Sequence, residues 1–248
     1  MKFQFPLQKA TWIKRYKRFM VDLTLANGEV LTVHNANTGS MKNCYVEGGD
    51  AWYWDSKNEK RKYPHSLELV QTPSGHVACI NTSRPNYLVA EAIENGVVKE
   101  LQDYSALKTE VRYGDEKSRI DILLSGGDKA IYVEVKNTTL LEAMTDDAPS
   151  SEGTFDDGIG YFPDSVSDRA SKHLRELMLM VEQGHRGVIF FCVNHSGIKQ
   201  VRPADHIDPL YGKLLREAAQ KGVEILAYRS HINEHEIYLK DKIEVVLK

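Results

Sequence analysis

The chain reads as an α/β protein in two parts, a small β-barrel over residues 1–82 and an α/β domain over residues 83–248. Three observations predict this. Residues 10–80 hold short β-rich runs separated by turn residues, the pattern of a small barrel of the OB type. Beyond residue 105 a strand, a hairpin, a helix, a strand, a helix and a strand follow one another, which is the order of a sheet with helices on its faces. The charge also changes sign between the parts. Residues 1–80 carry 11 Lys+Arg against 7 Asp+Glu, whereas residues 81–248 carry 21 against 28, so the two parts are expected to do different work.

The whole chain has 248 residues, a net charge of −3 and 42% hydrophobic residues, the profile of a globular protein. No apolar run approaches the length of a membrane span. The start, MKFQFPLQKATW, lacks the apolar core of a secretory signal, and a cytoplasmic location is expected. Cys44, Cys79 and Cys192 are far apart and odd in number, and they form no CxxC, so they read as reduced thiols and not as a zinc site or a disulfide frame.

In the first part, Thr11–Tyr16, Phe19–Leu25, Val30–His34, Ala51–Trp54, Ser66–Gln71 and His76–Ile80 read as strands, with Asn27-Gly28 as a hairpin turn. Three clusters suit nucleic acid, because basic residues track phosphates while aromatics stack on bases. They are Lys14 to Phe19, which contains Arg15, Lys17 and Arg18; Trp52-Tyr53-Trp54; and Lys60-Arg61-Lys62-Tyr63. The alternative for Trp52 and Trp54 is that they share a strand face and fill the barrel. Asn37 to Met41 reads as a turn that either shapes the backbone or offers NH groups to phosphate.

Tyr87–Glu94 reads as a helix stopped by Asn95-Gly96, with an apolar stripe of Tyr87, Leu88, Ala92 and Ile93. Leu107–Tyr113 reads as a strand. Next comes the stretch from Arg119 to Asn137. Two apolar runs flank Ser125-Gly126-Gly127-Asp128, and a tight turn on the glycines pairs Asp121 with Tyr132 and Arg119 with Glu134. One face then carries Arg119, Asp121, Tyr132, Glu134 and Lys136, and the other is a continuous apolar face from Ile120 to Val135. Asp121 and Glu134 become diagonal neighbours about 7–8 Å apart, close enough to share one ion. Paired carboxylates suit Mg²⁺ or Mn²⁺, and a nearby lysine can hold a water or steady a phosphate oxygen. A surface hairpin with a cross-strand ion pair would show the same spacing.

From Asn137 to Asp168 there are eight acids and no Lys or Arg, and residues 140–158 read as a mobile acidic loop. Ser167–Gln183 reads as a capped helix on which Arg169 and His173 share a face. Arg186–Asn194 is apolar on both faces and reads as a central strand. A helix at Asp208–Lys221, a strand at Val223–Tyr228 and edge strands follow.

An acid, then Glu-x-Lys on the next strand, resembles the PD-(D/E)XK nuclease core. The wider runs RYKRF, NTGSM, KRKYPHSLELV, YSALKTEVRYG, SRIDILL, YVEVKN, GYFPDSVSDRASKHLRELM, GVIFFCVNHS and GVEILAY resemble the sugar fermentation stimulation protein A family over nearly the whole chain. The resemblance implies an OB-like domain followed by a PD-(D/E)XK nuclease-like domain with a mixed sheet. It also implies non-specific DNA binding linked to regulation of sugar use, notably of maltose, with divalent-metal-dependent DNA cleavage as the alternative. It casts Asp121, Glu134 and Lys136 as the nuclease signature. Glu91 or Glu110 would be an auxiliary acid, and Arg169 and His173 a helix motif facing the site. The acidic run after Lys136 is where this chain departs from the family pattern.

Overall fold

The computed structural model describes residues 1–115, 118–145, 148–150, 155 and 158–248. The first part is a closed barrel. β1 (Gln8–Tyr16) pairs with β2 (Met20–Thr24) and with β4 (Asp50–Asp55), β2 pairs with β3 (Val30–His34), and β4 pairs with β5 (His65–Gln71). A parallel bridge between His34 and Ser66 joins β3 to β5 and closes the ring, and β6 (Val77–Cys79) extends β5. This is the OB arrangement, and its inward side chains include Trp12, Val21, Leu23, Val33, Ala51, Tyr53, Leu67 and Val70.

Strand alternation decides what the tryptophans do. Ala51 and Tyr53 point inward, so Trp52 and Trp54 lie on the outer side and do not fill the barrel. Trp52 packs against the core of the second domain, together with Leu69 and Cys79, and so belongs to the junction between the two parts.

The second part is built on a six-stranded mixed sheet in the order β17-β16-β14-β9-β8-β7. Its strands are β7 (Ala106–Tyr113), β8 (Ser118–Ser125), β9 (Ile131–Thr138), β14 (Arg186–Val193), β16 (Glu224–Ile232) and β17 (Ile237–Lys242). Helix α1 (Pro85–Glu94) covers one face, where Leu88, Val89 and Ile93 meet Ile122, Val133 and Phe190. Tyr87 does not join that stripe and is 70% exposed. Helices α2 (Asp168–Glu182) and α3 (Pro209–Gln220) cover the other face, where Leu174, Leu177 and Leu215 meet Ile189, Phe191 and Val193. Ser167 caps α2 by accepting from the Ala170 amide, and Asp208 caps α3 by accepting from Tyr211. The central strand is buried at every residue from Gly187 to Val193, as expected of a strand covered on both faces.

The expected loop at 140–158 does not begin as a loop. Leu140–Leu141 (β10) is a buried strand paired with β13 (Ile159–Phe162), and β13 continues into a small sheet with β15 (Gln200–Pro203) and β18 (Glu244–Val245). Between them lies a short hairpin of β11 (Ala143–Thr145) and β12 (Ala148–Ser150). The remaining acids of that stretch, Asp146, Asp147, Glu152, Asp156 and Asp157, lie outside the described residues. Cys44, Cys79 and Cys192 are buried free thiols.

Candidate functional site

The β8–β9 hairpin is wider than its glycines suggest. Leu124 faces Ile131, Leu123 faces Tyr132 and Ile122 faces Val133, so the connection runs from Ser125 to Ala130 and the pairing is shifted from the expected register. Gly126 takes the positive φ that a turn needs, whereas Gly127 is required for another reason. A Cβ there would sit 2.3 Å from the Asp103 carbonyl oxygen. Continuing this register sets Asp121 across from Glu134 instead of diagonal to it. The strands do not zip that far. The Asp121 carboxylate occupies the splay and accepts the Val135 amide at 2.8 Å.

The apolar face is also interrupted at this point. Ile122 and Leu124 pack with α1, but Ile120 packs with α2. Asp121 is the residue at which the alternation reverses, and on the neighbouring strand Glu110 has a φ of 55°. Such backbone irregularities are costly, and they are commonly retained where a side chain must be aimed.

Glu134 and Lys136 remain on the α2 side of β9, with His173 arriving from α2. All three are nearly buried, at 3%, 8% and 5% exposure. Lys136 Nζ donates to Glu134 Oε1 at 2.9 Å, His173 Nδ1 meets the same oxygen, and Lys136 Nζ lies 3.5 Å from that Nδ1. The two carboxylate oxygens therefore have different surroundings. Oε1 is saturated, whereas Oε2 is buried without a hydrogen-bond partner among the described residues. Burial opposes ionisation of Glu134, but Lys136 and His173 outweigh it and hold its carboxyl below the ordinary range. Asp121 shows the opposite balance. Burial, and then the neighbouring Glu134 charge, push it up to about 6 against the Val135 amide and Asn86. Tyr113, on β7, has a buried hydroxyl without a partner among the described residues, and burial and then the charges of Glu134, Glu176 and Asp121 raise it.

The auxiliary positions fall differently. Glu91 does not reach the site, since its carboxylate binds the α-amino group of Met1 at 2.8 Å. Glu110 does come close. Asn86, at the start of α1, donates to Asp121 Oδ1 at 2.9 Å and approaches Glu110 Oε1 at 3.4 Å. Arg169 lies one helical turn before His173 and is exposed. Asn86 and Tyr113 were not singled out from the sequence. Pro at the start of α1, with Asn86 next to it, was the available signal for the first; the second carried none.

The basic clusters fall on two loops of the barrel. Lys17, Arg18 and Phe19 form the β1–β2 turn, with φ of 49° and 64° at the two basic residues and Phe19 39% exposed. Lys60, Arg61, Lys62 and Tyr63 lie in the β4–β5 loop, where Arg61 sits 5.7 Å over the Trp54 ring and Lys62 sits 5.6 Å over Tyr63. The loops converge near His34. The Phe19 ring centre is 6.4 Å from that of His34, and burial and then the Arg61 charge lower the His34 pKa. Arg15 is committed elsewhere, donating to the carbonyls of Arg18, Asn37, Gly39 and Ser40. It shapes the Asn37–Met41 segment, where Ser40 also donates to Asp164 at 2.7 Å, so that segment is a junction to the second domain.

An OB barrel joined to an α/β domain with a mixed sheet, with acids at a splayed hairpin, defines a two-domain class of protein. Residues 13–80 match the SfsA N-terminal OB domain, and residues 83–236 match the sugar fermentation stimulation protein RE domain. The chain belongs to the sugar fermentation stimulation protein family. Among its relatives is the sugar fermentation stimulation protein homolog of Saccharophagus degradans, 52% identical over 99% of this chain and 100% of the relative. The homologs of Teredinibacter turnerae and Shewanella halifaxensis are each 53% identical, the former covering 100% of both chains and the latter 93% of both. In fold, the chain is similar to Pyrococcus furiosus SfsA, whose structure is described as a complex with Ca²⁺. The TM-score is 0.82 at 24% identity, over 99% of this chain and 98% of the other. No helix among the described residues is long and apolar enough to cross a membrane.

Proposed function

We propose that the protein binds DNA without sequence preference through its barrel and hydrolyses phosphodiesters at a divalent-metal site in its second domain. The observation that carries the reading is the division of labour at Glu134, where one oxygen is saturated by Lys136 and His173 and the other is buried without a partner among the described residues, while the Glu134 charge acts on Asp121. A buried carboxylate oxygen without a donor is costly, and a cation held with Asp121 relieves both that cost and the repulsion between the two acids. Among the described residues no ready-made set of three or more His, Cys, Asp or Glu ligands occurs. Two carboxylates still fit Mg²⁺ or Mn²⁺, which keep several waters beside one or two acids. The Ca²⁺ complex of the Pyrococcus furiosus protein supports a divalent ion in this fold.

When bound, the ion would supply charge to a phosphate oxygen and acidify a bound water. Asp121 Oδ2 and Glu134 Oε2 would hold it, Asn86 and the Val135 amide would fix Asp121, and Lys136 would face the attacked phosphate or the water. His173 would keep Glu134 in place. The barrel would supply affinity. Lys17 and Arg18 hold left-handed backbone at a cost of about 1–2 kcal/mol each, at a turn that presents charge, and the β1–β2 and β4–β5 loops are the ones OB folds use for oligonucleotides. A regulatory role in sugar use would act through such DNA binding.

Incubating the purified protein with plasmid and with single-stranded DNA in Mg²⁺, Mn²⁺ or EDTA tests the chemistry. Cleavage should need metal, Asp121→Ala should abolish calorimetric Mn²⁺ binding, and Lys136→Ala should spare metal binding but stop cleavage. Equal Mn²⁺ binding by wild type and Asp121→Ala, or no cleavage under any metal condition, would remove the catalytic half of the reading. Gel shifts with Lys60, Arg61 and Lys62 replaced by Ala test the other half. Affinity should fall alike on unrelated sequences, with the salt slope flattened by about one unit per lost contact.

A further inference from the structure

We propose that the strand entering the second domain is unpaired, with a base stacked in the aromatic cavity where barrel and α/β domain meet; this rests on the DNA reading above. The cavity, of ≈ 170 Å³, is lined by Phe3, Phe5, Trp54, Ser83 and Arg84 among others. Its walls have the chemistry of a base. The Phe5 and Trp54 rings are stacked, with centres 5.4 Å apart and planes 8° from parallel, and Arg84 lies 5.9 Å over the Phe3 ring. Rings 5.4 Å apart leave no slot between them, so a base would extend the Phe5–Trp54 stack, and a guanidinium plane takes any base by the same π-face. In a duplex those faces are buried in the stack and only base edges are presented, so only an unpaired nucleotide can use such a cavity.

The cavity also has two connections. On one side Arg61, from the basic β4–β5 loop, lies over Trp54. On the other side Ser83 is shared with a larger cleft of ≈ 330 Å³ that includes Asn86, Tyr87 and Glu110. Asn86 is the residue that holds Asp121, and the largely exposed Tyr87 ring offers a second stacking surface on the way. The basic loop, the aromatic cavity and the metal site are thus contiguous. The walls are preorganised as well. Glu68 accepts from Trp54 Nε1 at 2.8 Å and from Arg84 Nε at 2.5 Å, so neither side chain must be ordered on binding.

The test uses full-length Asp121→Asn protein, so that no substrate is consumed, with a fluorescent oligothymidylate and a duplex of equal length in the same salt. The oligothymidylate should bind more tightly than the duplex. Phe5→Ala and, separately, Tyr87→Ala should weaken it about 5- to 150-fold, the range for loss of one base stack, while duplex binding changes little. Tyr87 is exposed and its loss should leave the fold intact, which a melting curve checks. Photo-crosslinking of a bromodeoxyuridine oligonucleotide should map to Trp54 or Phe5. Unchanged oligothymidylate affinity in both variants, or a crosslink confined elsewhere, overturns the cavity while leaving the DNA reading standing. Failure of the parent protein to bind either substrate overturns both.

Discussion

Asp121 is the residue whose energetics are most exposed to test. It is held in the splay by the Val135 amide and Asn86, yet burial and Glu134 push its carboxyl up to about 6. An unfolded chain would lose that proton near 3.8, so between these values the folded state holds a proton that the unfolded state has released. Stability from this group is therefore fully present below about pH 4 and is lost as pH rises through 6, by about 3 kcal/mol at most. Urea unfolding of EDTA-treated protein should show this decline, Asp121→Asn should flatten it, and Mn²⁺ should reverse it by taking the place of the proton. A pH slope identical in Asp121→Asn would contradict the account. Asn86→Ala removes one of the two hydrogen bonds that favour the ionised form, so calorimetric Mn²⁺ affinity should fall and become more steeply pH-dependent. Legibility at this scale followed locality. Asp121, Glu134 and Lys136 lie on one hairpin, and His173 sits on a well-patterned helix. Asn86 and Tyr113 arrive from other elements, and Glu91 was claimed by the chain's own α-amino group, a partner that no local pattern reveals.

At the scale of elements, the strands and helices were largely legible because alternation, caps and stops agree. Val30–His34 falls where it was expected, and Ser167 caps α2 as its spacing implied. Register was not legible. A Gly-Gly pair suggests a tight turn, but the chain from Ser125 to Ala130 is instead fitted against Asp103 and Ser105, contacts made only once the sheet exists. The short strands β13 and β15 were missed because four residues carry little periodicity and their pairing is long-range. The turn makes a distinct prediction. Gly127 has no positive φ to protect, so a substitution is costly through its clash with the Asp103 backbone, and Gly127→Ala should destabilise by about 1–3 kcal/mol. Gly184→Ala, at a φ of 90° with nothing within 4 Å of an added Cβ, should cost about 1–2 kcal/mol from backbone strain alone. Chemical denaturation checks both. Crystallography of the first should show a displaced Asp103 segment, and an undisturbed one would remove the explanation.

One buried carboxylate ties the barrel to the second domain. Glu68, on β5, is fully buried and accepts from Arg84 Nε and Nη2 at 2.5 and 3.0 Å, from Asn81 Nδ2 at 2.8 Å and from Trp54 Nε1 at 2.8 Å. These donors come from the barrel, from the connector and from the residue that opens α1, so Glu68 fixes the first turn of the second domain to the wall of the first. Removing one partner of a buried pair leaves an uncompensated charge, at a cost of about 3–5 kcal/mol. Arg84→Met should therefore lower stability strongly, whereas Glu68→Met combined with Arg84→Met should recover much of the loss. Of the three tryptophans, Trp12 lies inside the barrel whereas Trp52 and Trp54 line its junction with the second part, so fluorescence follows the barrel and that junction while far-ultraviolet circular dichroism follows the whole chain. In the wild type the two urea transitions should coincide, and in Arg84→Met they should separate. The site should feel the change too. Asn86 stands two residues beyond Arg84 and holds Asp121, so a loosened start to α1 should weaken Mn²⁺ binding although no hydrogen bond joins Arg84 to Asp121 or Glu134 among the described residues. Coincident transitions together with wild-type Mn²⁺ affinity in Arg84→Met would show that barrel and site are only neighbours.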